Sequence, residues 1–305
     1  MYVSDVDVIF QLPEELPTAF ARMSTVVPSE STVPTTSSAY PDLCLEATCA
    51  QYHRRIMGIC AMGNTVFVVR TESREIEMYS NCELTGRLNV QLTGQPGWIS
   101  DIAAPEAYNC VYAGGHQSTQ LHRVDLAISE HTTVWCVPKY PAGLSVTQEE
   151  EVVVACADKA MIVILSPADG QTLTAIPLLR PDISRPKHAV VLPSGLLAVS
   201  TAGPLHRIWL IRRSGTVERF CGVRGRGTGQ FYHPRGLLPF GTNQNTVLVC
   251  DRGNNRLVAI DFEQSESEVL ASDIGSPISL AVDILNRRLY VGQYQGDRCL
   301  LIYKF

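Results

Sequence analysis

Residues 225–260 read GRGTGQFYHPRGLLPFGTNQNTVLVCDRGNNRLVAI, and the punctuation of this stretch decides the fold. A glycine-rich turn ends at Gln230-Phe231, and Pro234-Arg235-Gly236-Leu237 opens an apolar segment. Val247-Leu248-Val249 and Leu257-Val258-Ala259-Ile260 then flank the polar loop Asp251-Arg252-Gly253-Asn254-Asn255-Arg256. Short runs rich in β-branched residues and bounded by Gly, Asn and Pro predict strands buried on both faces. A unit this small cannot bury its own apolar faces, so it predicts further copies along the chain.

Those copies are legible on both sides. A small or polar residue followed by an apolar one opens six units: Gly58-Ile59, Asp101-Ile102, Gly143-Leu144, His188-Ala189, Gly236-Leu237 and Ser279-Leu280. The spacing, slightly over forty residues, is that of a four-stranded propeller blade. Second strands are predicted at Val66–Val69, Cys110–Tyr112, Val152–Val154, Leu196–Val199, Val247–Val249 and Leu289–Val291. Third strands follow at Ile76–Tyr79, Leu121–Leu126, Met161–Leu165, Arg207–Ile211, Arg256–Ile260 and Cys299–Tyr303. The sixth unit stops short of an outer strand. An unpaired edge is a liability, so Leu43–Arg55 is expected to supply that strand, and truncation past Arg55 to destabilise the ring. The expectation is an all-β, six-bladed β-propeller over 43–305, preceded by an N-terminal extension and Ser/Thr/Pro-rich linker over 1–42.

The stretch 225–260 resembles one NHL repeat, and the chain as a whole resembles the C-terminal propellers of TRIM-NHL proteins. The match is specific in the fifth unit, fair in the fourth and sixth, and weak in the first three. In those proteins the propeller recruits the substrate while RING and B-box modules recruit the ubiquitin machinery. No RING or B-box pattern is present here, so ligase activity does not carry over. The resemblance implies a non-enzymatic protein-interaction scaffold. Its pattern also makes Asp251, Asn255 and Arg256 a structural loop, with Asp251 and Arg256 bracketing a turn. In the first unit the charges look exchanged, so Arg70 and Glu75 are expected to form the same clamp with reversed polarity.

Net charge is −5, unevenly spread. Residues 180–256 carry twelve Lys or Arg against three acidic residues, so this half holds +9 and the remainder −14. Such asymmetry bears on partners. It makes Arg185, Lys187, Arg224, Arg226 and Arg235 candidate partner-binding residues for a protein or acidic peptide, with RNA the alternative. Trp98 and Tyr140, where loops lead into inner strands, read as wedges between blades ahead of exposed anchors.

Enzyme signals are weak. Propellers of the peptide-amidating lyase use zinc held by histidines, which makes a metal-dependent lyase the third reading. The seven histidines here share no repeat position in a comparable setting, and no catalytic, cofactor or metal residue is assigned. Gly225–Gly229 resembles a phosphate loop but leads to strand signals, not a helix; it reads as a turn between blades. Ten cysteines fall mainly in strand runs, where they act as small buried hydrophobes. With no secretory signal and no apolar run long enough for a membrane helix, the expectation is a monomeric, cytoplasmic protein away from membranes.

Overall fold

The computed structural model describes residues 40–49, 54–92, 97–128, 132–137, 140–296 and 300–305. The Ser/Thr/Pro-rich linker, His53, His131 and Cys299 lie outside these. The described residues form a six-bladed β-propeller of antiparallel four-stranded sheets. Blade 1 runs Ile56–Met62, Thr65–Arg70, Glu75–Ser80 and Glu83–Asn89; blade 2 runs Ile99–Ala103, Cys110–Gly115, Gln120–Asp125 and Thr132–Cys136. Blade 3 is Pro141–Val146, Val152–Cys156, Met161–Leu165 and Thr172–Pro177; blade 4 is Pro186–Val191, Leu197–Thr201, Ile208–Ile211 and Val217–Cys221. Blade 5 is Pro234–Pro239, Thr246–Asp251, Arg256–Asp261 and Glu266–Ala271. Blade 6 supplies Pro277–Asp283, Arg288–Gln293 and Leu300–Lys304, and its outer strand is Cys44–Cys49.

Cys44–Cys49 pairs antiparallel with Leu300–Lys304, with Cys44 opposite Lys304 and Cys49 opposite Leu300. The ring is therefore closed by the N-terminal strand, as the missing edge predicted. Arg288 grips Glu46 of that strand through two hydrogen bonds, of 2.8 and 2.9 Å. Just ahead of it Tyr40 is buried among Phe240, Leu248, Leu289 and Tyr303.

Burial explains why the strands read so clearly. Val152–Cys156 is buried at every residue because neighbouring blades cover both its faces, whereas the outer strand Thr172–Pro177 is exposed along most of its length. Each fully buried Val, Leu or Ile contributes roughly 1.5–3 kcal/mol. The inner strands pack side by side around the axis, and Ile56–Met62 against Pro277–Asp283 completes the circle.

Every inner strand carries a register shift just where the predicted opening pairs lie. These six positions, Gly58, Asp101, Gly143, His188, Gly236 and Ser279, alternate glycine and a polar residue from blade to blade. The reason is a close approach. A Cβ on Gly58 would stand 2.3 Å from Asp101 Oδ1, one on Gly143 2.3 Å from the Lys187 carbonyl, and one on Gly236 2.7 Å from the Ile278 carbonyl. Each glycine admits the next blade, whose polar side chain then reaches neighbouring backbone. Asp101 Oδ2 accepts the Leu144 N–H at 2.8 Å, and Ser279 Oγ accepts the Ile59 N–H at 3.1 Å.

Candidate functional site: a basic channel mouth

The channel is divided. At the end where the inner strands begin it opens into a cavity of about 360 Å³ with a mixed polar lining; at the other end lies an apolar hollow of about 210 Å³. His188 lines both. Its Nε2 donates to the Leu144 carbonyl at 2.9 Å, and its Nδ1 accepts the Leu237 N–H at 3.4 Å. Only a neutral ring can make both contacts. Burial accordingly lowers its pKa to about 4. Asp101 lies 3.8 Å from His188 Nε2. Its oxygens accept the N–H groups of Ile102 and Leu144, yet burial outweighs these bonds and raises its pKa to about 7.

One residue toward the mouth, the inner strands present a second ring: Met57, Ser100, Ala142, Lys187, Arg235 and Ile278. Two adjacent blades thus place cations side by side where the others place small or apolar groups. Arg235 Nε is shut off from solvent with no hydrogen-bond partner. Among the described residues neither the Arg235 guanidinium nor the Lys187 ammonium makes an ion pair or side-chain hydrogen bond. Burial, then the field of Arg252, lowers the Arg235 pKa to about 10. Burial, Arg235 and Arg185 in turn lower that of Lys187 to about 8, against a weaker opposite pull from Asp158.

The rim extends this field. Arg224 lies over the Tyr232 ring at 5.4 Å, while Arg252 and Arg55 lie 4.4 and 4.8 Å from the centre of Tyr294. His233 feels Arg252, Arg235, Arg224 and Lys187 together, which adds to the burial that lowers its pKa. Arg185 and His233 hold left-handed backbone (φ 51° and 53°) directly before prolines, an uncommon conformation for residues with side chains. Trp98 stacks on His116 of its own blade at 4.3 Å, and Tyr140 is exposed in the cavity wall. Trp98 also lines a hollow with Thr71 and Glu72 of blade 1, as a residue wedged between blades does, whereas Tyr140 stands exposed, as an anchor does.

Of the five basic residues singled out from the sequence, the fold brings Arg185, Lys187 and Arg235 together at the mouth, with Arg224 on the rim. Arg226 belongs elsewhere, lining a separate hollow with Asn254, Asn255 and Arg256. Arg252, assigned by sequence to the repeat loop, instead joins the rim. Several other arginines of the basic half are already engaged: Arg212 with Glu218, Arg213 with Glu151, Arg180 with Asp182, and Arg219 with the Phe262 carbonyl.

The repeat loop is a different kind of site. Asp251 is fully buried; it accepts the Tyr232 N–H and pairs with Arg256 Nε at 2.8 Å. Arg256 also donates to the carbonyls of Arg226, Gly227 and Gln230, tying down the turn between blades 4 and 5. Asn255 adopts the left-handed conformation that ends the loop (φ 58°), and its side chain accepts the Ser276 N–H. Gly225–Gly229 is that inter-blade turn and no helix follows it.

In blade 1 the expected Arg70–Glu75 clamp is not what forms. Arg70 pairs instead with Glu77, at 2.6 Å, and Tyr79 donates to the same carboxylate. Glu75 is exposed and faces Arg87 at 3.6 Å. Exchanging the charges put the long arm on the second strand. Arginine reaches past the opposite residue to the next position on the same strand face, where the pair is buried.

No protein-family model matches the sequence, and no curated protein is similar enough to match it. Solved structures match through the fold. A Bacteroides thetaiotaomicron protein of unknown function aligns over 86% of this chain and 72% of its own, at 14% identity and a TM-score of 0.65. Hydrazine synthase of Kuenenia stuttgartiensis aligns over 86% and 77%, at 16% identity and 0.59. A catalytically inactive virginiamycin B lyase from Staphylococcus aureus, solved with quinupristin, aligns over 87% of this chain and all of its own, at 10% identity and 0.59. At these identities the likeness is one of fold, and it places the chain among the β-propellers without choosing among their activities.

Proposed function

We propose that this protein is a binding propeller that captures an acidic segment of a partner protein on its basic channel mouth, without transforming it. The observation that carries this reading is the pair Lys187 and Arg235, adjacent on the mouth ring and unpaired. Burying cations without partners is costly, and a cost of that kind is compensated by a ligand that supplies the missing charge. The resemblance to TRIM-NHL propellers supports the same reading.

RNA is the second reading, favoured by the arginines lying over Tyr232 and Tyr294, since stacking beside positive charge suits single strands. Against it, Arg180, Arg212, Arg213 and Arg256 are taken up by ion pairs and Arg226 lies in a separate hollow, so the basic residues do not form one continuous face. A lyase reading rests on the fold neighbours alone. Of the two histidines lining the mouth cavity, His188 has both nitrogens committed to backbone and His116 is stacked on Trp98.

Fluorescence anisotropy at two salt concentrations tests the choice, using a labelled Glu/Asp-rich peptide and a single-stranded RNA of equal charge. Preferential, salt-sensitive peptide binding lost in an Arg224→Glu/Arg252→Glu variant supports the protein reading. Preferential RNA binding, or no binding of either probe at low salt, overturns it.

A further inference from the structure

We propose that the pocket between Lys187 and Arg235 is a phosphate-monoester site, an inference that rests on the acidic-partner reading and names the chemistry of its anchoring group. Two cations from adjacent blades face one cavity. A lone carboxylate would bring one negative charge to them. A phosphate monoester brings nearly two, with three acceptor oxygens to share. The division of labour suits the side chains: a guanidinium engages phosphate through paired donors, while an ammonium acts as a compact charge.

The surroundings agree. Arg235 Nε is a buried donor with nothing to bond, and the cavity, about 360 Å³, falls in the range of small-ligand sites. Of the two carboxylates in the wall, Asp101 has its oxygens taken by backbone N–H groups. With its pKa raised to about 7, Asp101 carries only part of a charge near neutrality, and that charge already acts on Arg235; Asp158 is the other acidic group an incoming anion meets. The phosphate could belong to a phosphorylated side chain of the partner or to a free phosphate ester, and both use the same contacts.

The test uses the full chain and three probes: inorganic phosphate, a Glu/Asp-rich peptide containing one serine, and its phosphoserine twin. Calorimetry and thermal melting are run on the wild type, Arg235→Met and Lys187→Met. Expected results are a rise in Tm with phosphate and at least tenfold tighter binding of the phosphopeptide than of its twin. Each single variant should lose that preference, so either one suffices if the other does not fold. Competition by inorganic phosphate against the phosphopeptide places the phosphoryl group in the pocket. Phosphate binding without a phosphopeptide preference supports the site and identifies its ligand as a free ester. If the plain peptide binds but phosphate neither binds nor competes, this inference falls while the acidic-partner reading stands. If phosphate binds and neither peptide does, the partner reading falls and the site remains.

Discussion

Arg256 and Arg235 stand at opposite ends of one scale. Both are arginines of blade 5 and both are largely sheltered, yet Arg256 makes an ion pair and donates to three carbonyls while Arg235 leaves its Nε unbonded. The loop around Arg256 is complete in itself. The mouth around Arg235 is not. A saturated charge holds a chain in place, whereas an unsatisfied one keeps its bonding capacity for something that arrives from outside. The difference distinguishes structure from function here better than residue type or net charge does.

The scale for both regions is set by ring closure. Removing residues 1–55 deletes the outer strand of blade 6 and exposes an edge; the product is expected to lose its cooperative melting transition, as circular dichroism would show. A truncated protein that melts like the full chain would mean that neither region depends on a closed ring.

Asp251→Ala comes next. It strands Arg256 in a sheltered position and frees the Tyr232 N–H, so a loss of about 3–5 kcal/mol is expected in urea denaturation. A loss under 1 kcal/mol would remove the contrast between the two arginines.

His188→Gln tests the channel wall through pH. The native histidine has a folded pKa near 4, below the unfolded value near 6.5. The unfolded chain therefore binds the extra proton first, and stability falls as pH drops from about 6.5 to about 4. The wild type should lose up to about 3 kcal/mol relative to the glutamine variant across that window. Asp101, whose folded pKa is about 7, contributes the opposite slope over much of the same range and lies 3.8 Å from His188, so both proteins are compared in an Asp101→Asn background that removes it. Parallel pH profiles for the two proteins would show that His188 does not stay neutral in the fold.

Arg235→Met is the smallest effect and the sharpest. Replacing an unpaired, sheltered cation by an apolar side chain should leave stability unchanged or raise it by about 1 kcal/mol. A clear destabilisation would mean that Arg235 is built into the fold as Arg256 is.

Much of this architecture is legible in the sequence alone. The six opening pairs mark the inner strands because glycine, where a neighbour approaches closely, alternates with a polar side chain that bonds the neighbour's backbone. The runs of valine marked the second strands because neighbouring blades cover them on both faces. The closing strand followed from a missing edge. What failed was whatever depended on side-chain reach: Arg70 chose Glu77 over Glu75, and Arg252 left its loop for the rim. The mouth was only half legible. Charge density singled out Lys187 and Arg235, but nothing local shows that residues almost fifty apart occupy adjacent places on one ring. That juxtaposition arises from the blade period, as does the separation of Arg226 from the others.

The closing strand has a further consequence under force. Because Cys44 lies opposite Lys304, the start of the closing strand and the end of its partner sit side by side at one corner of that sheet. A load applied between them would peel the strand pair open one hydrogen bond at a time instead of shearing the whole ladder at once. The seam on which the ring's thermodynamic integrity depends is therefore also where it tears most easily. A propeller pulled at these two residues would open as a zip does, starting from blade 6.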